Sequence, residues 1–146
     1  MIDNKLYAFG GAFKKSNGLN SFHGFYECIL KLESPKEDLF KWKRILGEAP
    51  KNRDSHTSIS FLDQLMIFGG SFNSQCFNDL YKYSVTNKIW TKLEPIADDG
   101  HQPPSREGHI ATLIDGDKML IHGGINDDQV CYSDAYILVG LHKEID

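Results

Sequence analysis

Leu65-Met66-Ile67-Phe68-Gly69-Gly70 decides the fold, because the same arrangement stands at two other places in the chain. Leu6-Tyr7-Ala8-Phe9 runs into Gly10-Gly11, and Met119-Leu120-Ile121-His122 runs into Gly123-Gly124. Each is a short apolar run closed by two glycines, and the second glycines, at 11, 70 and 124, lie 59 and 54 residues apart. One such pair carries little weight; three in phase make the chain one unit repeated. Helical solenoids repeat at about 33 to 47 residues, so strand-like runs at a period near fifty point to a stack of β-sheets.

Alignment on the glycines exposes the rest of the unit. Arg53 and His56 precede Gly69 by 16 and 13 residues, and Arg106 and His109 precede Gly123 by 17 and 14, the extra residue falling in the Asp115-Gly116 turn. Downstream stand Tyr26, Tyr81 and Tyr136, then Trp42 and Trp90. This order of Arg-x-x-His, strand, turn, strand ending Gly-Gly, Tyr and Trp resembles the kelch repeat. The resemblance implies an all-β fold, an incomplete kelch β-propeller of four-stranded antiparallel blades. It covers nearly the whole chain, with two departures: the first repeat lacks Arg-x-x-His and the third lacks Trp.

Period-two patterns and turn residues give the strands. Second strands are expected at about Lys5 to Gly10, Gln64 to Gly69 and Lys118 to Gly123, and third strands at about Phe25 to Lys31, Asp79 to Ser84 and Asp134 to Val139. Fourth strands begin near Trp42 and Trp90, and first strands run about His56 to Phe61 and His109 to Ile114. Pro35-Lys36-Glu37-Asp38 suits one helical turn. The blades are then about 1–46, lacking its first strand, about 53–94, and about 106–146, its fourth strand cut short around Ile145. Propellers close with about four to eight blades, so the sequence reads as an excerpt of a longer ring. A short chain that covers its open faces by self-association is the alternative. Tyr and Trp rings are expected to lie over the bare glycine backbone and to anchor each blade, at roughly 1.5 to 3 kcal/mol apiece.

Composition excludes several classes. The formal charge is −4 and no basic run exceeds Lys14-Lys15, which argues against a nucleic-acid partner. No apolar stretch approaches the length of a membrane span. Cys28, Cys76 and Cys131 form an odd set without close pairs, and Asn-x-Ser/Thr is absent, so a cytoplasmic location is expected.

Connections leaving the second strands share a face with those entering the first strands, and these are the long ones: Ala12 to Gly24, Gly47 to Ser55, Ser71 to Asn78, Glu94 to Ser105 and Ile125 to Ser133. Recognition normally resides in long loops on a rigid frame. Lys14, Lys15, Phe22, Arg53, Phe72, Asp99, Arg106, Asp127 and Asp128 are the expected partner contacts. In that reading Arg53 or Arg106 pairs a carboxylate of a protein or peptide ligand while a phenylalanine supplies apolar area.

Catalytic and metal chemistry is weakly supported. His56 and His109 hold equivalent repeat positions, which suits a structural role in each blade. Glu94-x-x-x-Asp98-x-x-His101 misses by one residue the iron motif of kelch-type specifier proteins. Gly-x-Ser-x-Gly is absent, and Asp54, Ser55 and His56 are chain neighbours that an extended strand points to opposite faces. No cofactor is expected. The kelch resemblance implies a non-catalytic protein- or peptide-binding module of a larger scaffold or adaptor protein. The alternative is a fragment of a kelch-type enzyme or metal-dependent specifier.

Overall fold

Alternation builds the sheets. In Thr57–Phe61, Ile59 and Phe61 are buried while Ser58 and Ser60 face outward, the pattern of a strand with one packed face. The computed structural model describes residues 5–14, 20–22, 25–31 and 39–141, and none of these residues is helical. Lys15, the turn expected at Pro35 to Asp38 and the strand expected around Ile145 lie outside the described residues.

In chain order the strands are β1 (Lys5–Phe9), β2 (Ala12–Lys14), β3 (Asn20–Phe22), β4 (Phe25–Lys31), β5 (Leu39–Ile45), β6 (Thr57–Phe61) and β7 (Gln64–Phe68). They continue with β8 (Ser71–Phe72), β9 (Gln75–Cys76), β10 (Leu80–Ser84), β11 (Ile89–Leu93), β12 (Ile110–Ile114), β13 (Lys118–His122) and β14 (Ala135–Leu138). Three antiparallel sheets result: β1-β4-β5, β6-β7-β10-β11 and β12-β13-β14. In the middle sheet Tyr83 stands opposite both Leu65 and Trp90. The β12–β13 turn has positive φ at Asp115 and Gly116, 51° and 79°, as a two-residue hairpin requires.

The connections expected as long loops are partly sheet. After each glycine pair the chain turns out of the main sheet and forms a small ribbon, β2 with β3 and β8 with β9, while Ile125 bridges Cys131 at the third position.

Two cores hold the sheets together. Leu65, Ile67, Tyr83 and Val85 of the middle sheet pack against Tyr7, Phe9 and Ile45 of the first. Met66, Phe68 and Leu80 pack against Met119, Ile121 and Leu138 of the third. The middle sheet is therefore covered on both faces, and β6 lies beside β12. Trp90 joins the first core, 5.3 Å from Phe9 and 5.1 Å from Tyr83 between ring centres. Trp42 departs from the expected anchor role, since it is 54% exposed. The reason is positional: Trp90 packs across onto the preceding sheet, and the described residues place no sheet before the first.

Candidate functional site

Arg53 and Arg106 are the most heavily engaged polar groups of the loop face, and both are 0% exposed. The Arg53 guanidinium donates to both carboxylate oxygens of Asp79, 2.9 Å on the Nη2 side, and to the Gly69 carbonyl at 2.9 Å. Its Cζ lies 4.4 Å from the centre of the Phe77 ring. Arg106 repeats the pattern, donating to Asp134 at 2.7 and 3.0 Å and to the Gly123 carbonyl at 2.9 Å, with Tyr132 beneath it at 4.4 Å. The donors from Arg106 hold the Asp134 carboxyl below the usual carboxylate range. These arginines therefore serve the fold. The expectation that they greet a ligand carboxylate is corrected: each fork is filled by an aspartate of its own sheet.

The same segment clamps one sheet to the next through its backbone. Gly11 N–H donates to the Arg53 carbonyl and Gly70 N–H to the Arg106 carbonyl, both at 2.9 Å. His56 meets Phe9 edge-on and His109 meets Phe68 edge-on, each at 5.4 Å. A Cβ added at Gly69 would stand 2.7 Å from the Arg106 carbonyl and 2.9 Å from the His109 ring. The space over Gly10 and Gly69, the first glycines of their pairs, is thus filled by the following sheet's Arg-x-x-His segment, and that over Gly70 and Gly124 by the segment of their own sheet, where tyrosine and tryptophan rings were expected. Burial holds the imidazoles of His56 and His109 down to about 4, with the neighbouring arginine charge adding to the effect in each.

Asp79 and Asp134 are the residues that sequence reasoning missed. Their signal was present: each stands two residues before an aligned tyrosine, Tyr81 or Tyr136. Position 24, the corresponding place before Tyr26, holds glycine.

The remaining expected contacts among the described residues fall on different elements. Phe72 is half-buried in β8, Asp128 is exposed, and Lys14 and Phe22 sit in the first ribbon. Asp127 is exposed yet accepts the Cys76 N–H at 2.5 Å, tying the second ribbon to the third. Beside it the Ser71 hydroxyl donates to Glu107. Burial, with the Asp127 carboxylate next, pushes the Cys76 thiol up to about 12. Tyr26 lies in β4 opposite Ala8 and Arg44. Among the described residues no three His, Cys, Asp or Glu side chains converge in a metal-holding group, and Glu94, Asp98 and His101 are all exposed.

Asp99 belongs to a different feature, a groove of about 680 Å³ between the second and third sheets beneath the 94–105 connection. Leu80, Leu93, Ile96 and Leu138 supply its apolar walls, and Glu94, Asp98 and Asp99 stand at its rim. Ile96 is 94% exposed, an apolar side chain left in solvent at the groove mouth. The Asp99 carboxyl is held below the usual carboxylate range, chiefly by the N–H of His101 at 2.9 Å.

Antiparallel sheets packed face to face, with β6 beside β12, define an arc of a β-propeller. Residues 1–142 match the family described as the KLHDC2/KLHL20/DRC7 Kelch-repeats domain, and the chain belongs to the kelch-repeat family. It is similar to the Rho GTPase-activating protein gacHH of Dictyostelium discoideum, 35% identical over 133 residues, which covers 85% of this chain and 8% of that protein. It is also similar to Kelch domain-containing protein 3 of Rattus norvegicus, 26% identical, covering 94% of this chain and 38% of that one. Among solved structures, the one titled "Structure of YjhT" superposes with a TM-score of 0.60 at 25% identity, covering 88% of this chain and 33% of that chain. The chain thus spans well under half the length of each of these proteins.

Proposed function

We propose that the chain is a non-catalytic peptide-binding part of a kelch scaffold, and that the groove between the second and third sheets takes an extended peptide. Such a peptide would place an apolar side chain between Ile96 and Leu138 and a lysine or arginine beside Asp98 and Asp99. The groove carries this reading: apolar walls give burial, and rim carboxylates give orientation. The chemistry of the clamps supports it, because Arg53 and Arg106 are paired with Asp79 and Asp134 of their own sheets, and His56 and His109 pack against Phe9 and Phe68 of the preceding ones. The acidic rim and the charge of −4 also disfavour a nucleic-acid ligand.

A peptide array in which an apolar residue is flanked by Arg, Lys, Asp or Ser tests this. The purified protein should favour the basic series. Ile96→Asp should weaken binding at least tenfold, and the double change Asp98→Lys, Asp99→Lys should turn preference toward the acidic series. Equal binding of all series, or indifference to both variants, would reject the groove as the site.

A further inference from the structure

Acidic side chains stand at one end of the groove between the second and third sheets, and a cation lines it farther in. The register of the second sheet gives their order. Leu93 stands opposite Leu80, and Leu80 opposite Phe68, so the 94–105 connection leaves the sheet at the level of Leu80. Two residues along β10, on the same face, comes Lys82, between Met66 and Thr91. Met66 and Leu80 belong to the core shared with the third sheet, so Lys82 faces that sheet too, and it lines the groove with Leu138.

Lys82 is half-buried. Two other lysines of these sheets have carboxylates of their own: Lys92 donates to Glu94 at 2.6 Å and Lys118 to Asp115 at 2.9 Å. Among the described residues Lys82 has no such partner. At the mouth the acids are unequal. Glu94 is taken by Lys92, and Asp99 accepts the His101 N–H at 2.9 Å with the His101 ring nitrogen 3.5 Å away. Asp98 is exposed and forms no ion pair among the described residues. An apolar channel therefore carries an uncommitted carboxylate at its mouth and an uncommitted ammonium deeper in.

On the reading of the groove as the peptide site, we propose that it selects a segment bearing both signs of charge. A lysine or arginine meets Asp98, an apolar residue enters between Ile96 and Leu138, and a glutamate or aspartate reaches Lys82. Strand geometry sets the spacing. An extended chain turns every second side chain to one face at intervals of about 7 Å, the interval that separates Leu80 from Lys82. The three ligand side chains accordingly fall at alternate positions, basic-x-apolar-x-acidic, and a chain running the other way presents them in reverse. Lys82 supplies specificity that the acidic rim alone lacks, since a purely basic peptide would bring a cation against it.

Fluorescence anisotropy with the 146-residue chain and capped, labelled peptides carrying Arg-Ser-Leu-Ser-Glu, or the reversed Glu-Ser-Leu-Ser-Arg, tests this. One of the two should bind about three- to fivefold tighter than its counterpart with Gln for Glu at low salt, and the gain should fade at about 0.5 M salt. Moving the glutamate by one position should forfeit the gain, because its carboxylate then points away from the groove. Lys82→Gln should erase the difference between the Glu and Gln peptides, and Lys82→Glu should turn the preference toward lysine at that place. The proposal is overturned if neither order prefers Glu to Gln while Ile96→Asp still weakens binding; the groove then takes basic, apolar peptides without reading an acid. If Ile96→Asp has no effect either, the groove reading falls with it. A gain that survives Lys82→Gln, or that follows the displaced glutamate, also overturns it. So does sedimentation showing a dimer that Lys82→Gln dissociates, since a second copy would then be the occupant.

Discussion

Asp79→Ala removes the counter-charge of a fully buried guanidinium, and the loss follows from the surroundings. Arg53 is 0% exposed and Asp79 only 19%, so little water can replace the carboxylate. The remaining acceptors, the carbonyls of Gly69 and Lys51, neutralise no charge. Breaking a buried pair from one side costs about 3 to 5 kcal/mol, and the partial exposure of Asp79 places this case near about 3. For a domain of this size that is a fall in Tm of roughly 6 to 12 °C. Asp134 is 35% exposed, so Asp134→Ala should cost less, about 1 to 2 kcal/mol. Asp115→Asn, which removes a surface pair with Lys118 and keeps a residue that tolerates the positive φ of the turn, should cost under about 0.5 kcal/mol. Calorimetric melts of the three variants check the order Asp79, Asp134, Asp115. If Asp79→Ala melts with Asp115→Asn, the arginine fork is not what locks the segment.

Gly69→Ala and Gly108→Ala separate steric from backbone effects, because φ is nearly equal, 62° and 63°, while only Gly69 has neighbours within 4 Å. Gly108→Ala should cost about 1 kcal/mol and Gly69→Ala at least about 3, measured by urea unfolding. Stability should fall as pH drops from 6.5 toward about 4, since unfolded histidine takes up protons that half-buried His56 and buried His109 resist. Each contributes at most about 1.4 kcal/mol per pH unit, and unfolding midpoints for His109→Gln should show a shallower slope. Asp134, held low in the fold, adds a loss only below its ordinary value of 3.8, as acid protonates the carboxylate. Trp90→Ala should cost about 3 kcal/mol and the exposed Trp42→Ala under about 1, compared by thermal melts.

Much of the architecture was legible because strands announce themselves by short-range pattern. The expected Phe25 to Lys31 strand is β4 to the residue, and the sheets carry three, four and three described strands. The resemblance to kelch repeats rested on glycines whose spacing is a property of the chain alone. What filled the space above those glycines was not legible, because the Arg-x-x-His segment that covers Gly69 belongs to the next repeat, more than thirty residues onward. For the same reason Arg53 and Arg106 read as free loop cations. An arginine in a polar loop gives no sign of burial until the aspartate 26 or 28 residues later is paired with it. The groove escaped notice because its walls come from two sheets, and only Asp99 among the expected contacts falls on it.

Amide hydrogen exchange at Gly70 tests the central claim most directly, that paired glycines receive the backbone of the next sheet's Arg-x-x-His segment. Gly70 lies outside the strands, so without that grip its N–H should exchange at the rate of an open turn. Donating to the Arg106 carbonyl, it should instead be protected to the same degree as Ile67 in the middle of β7. Exchange of Gly70 at the rate of exposed Gly100 would contradict the account.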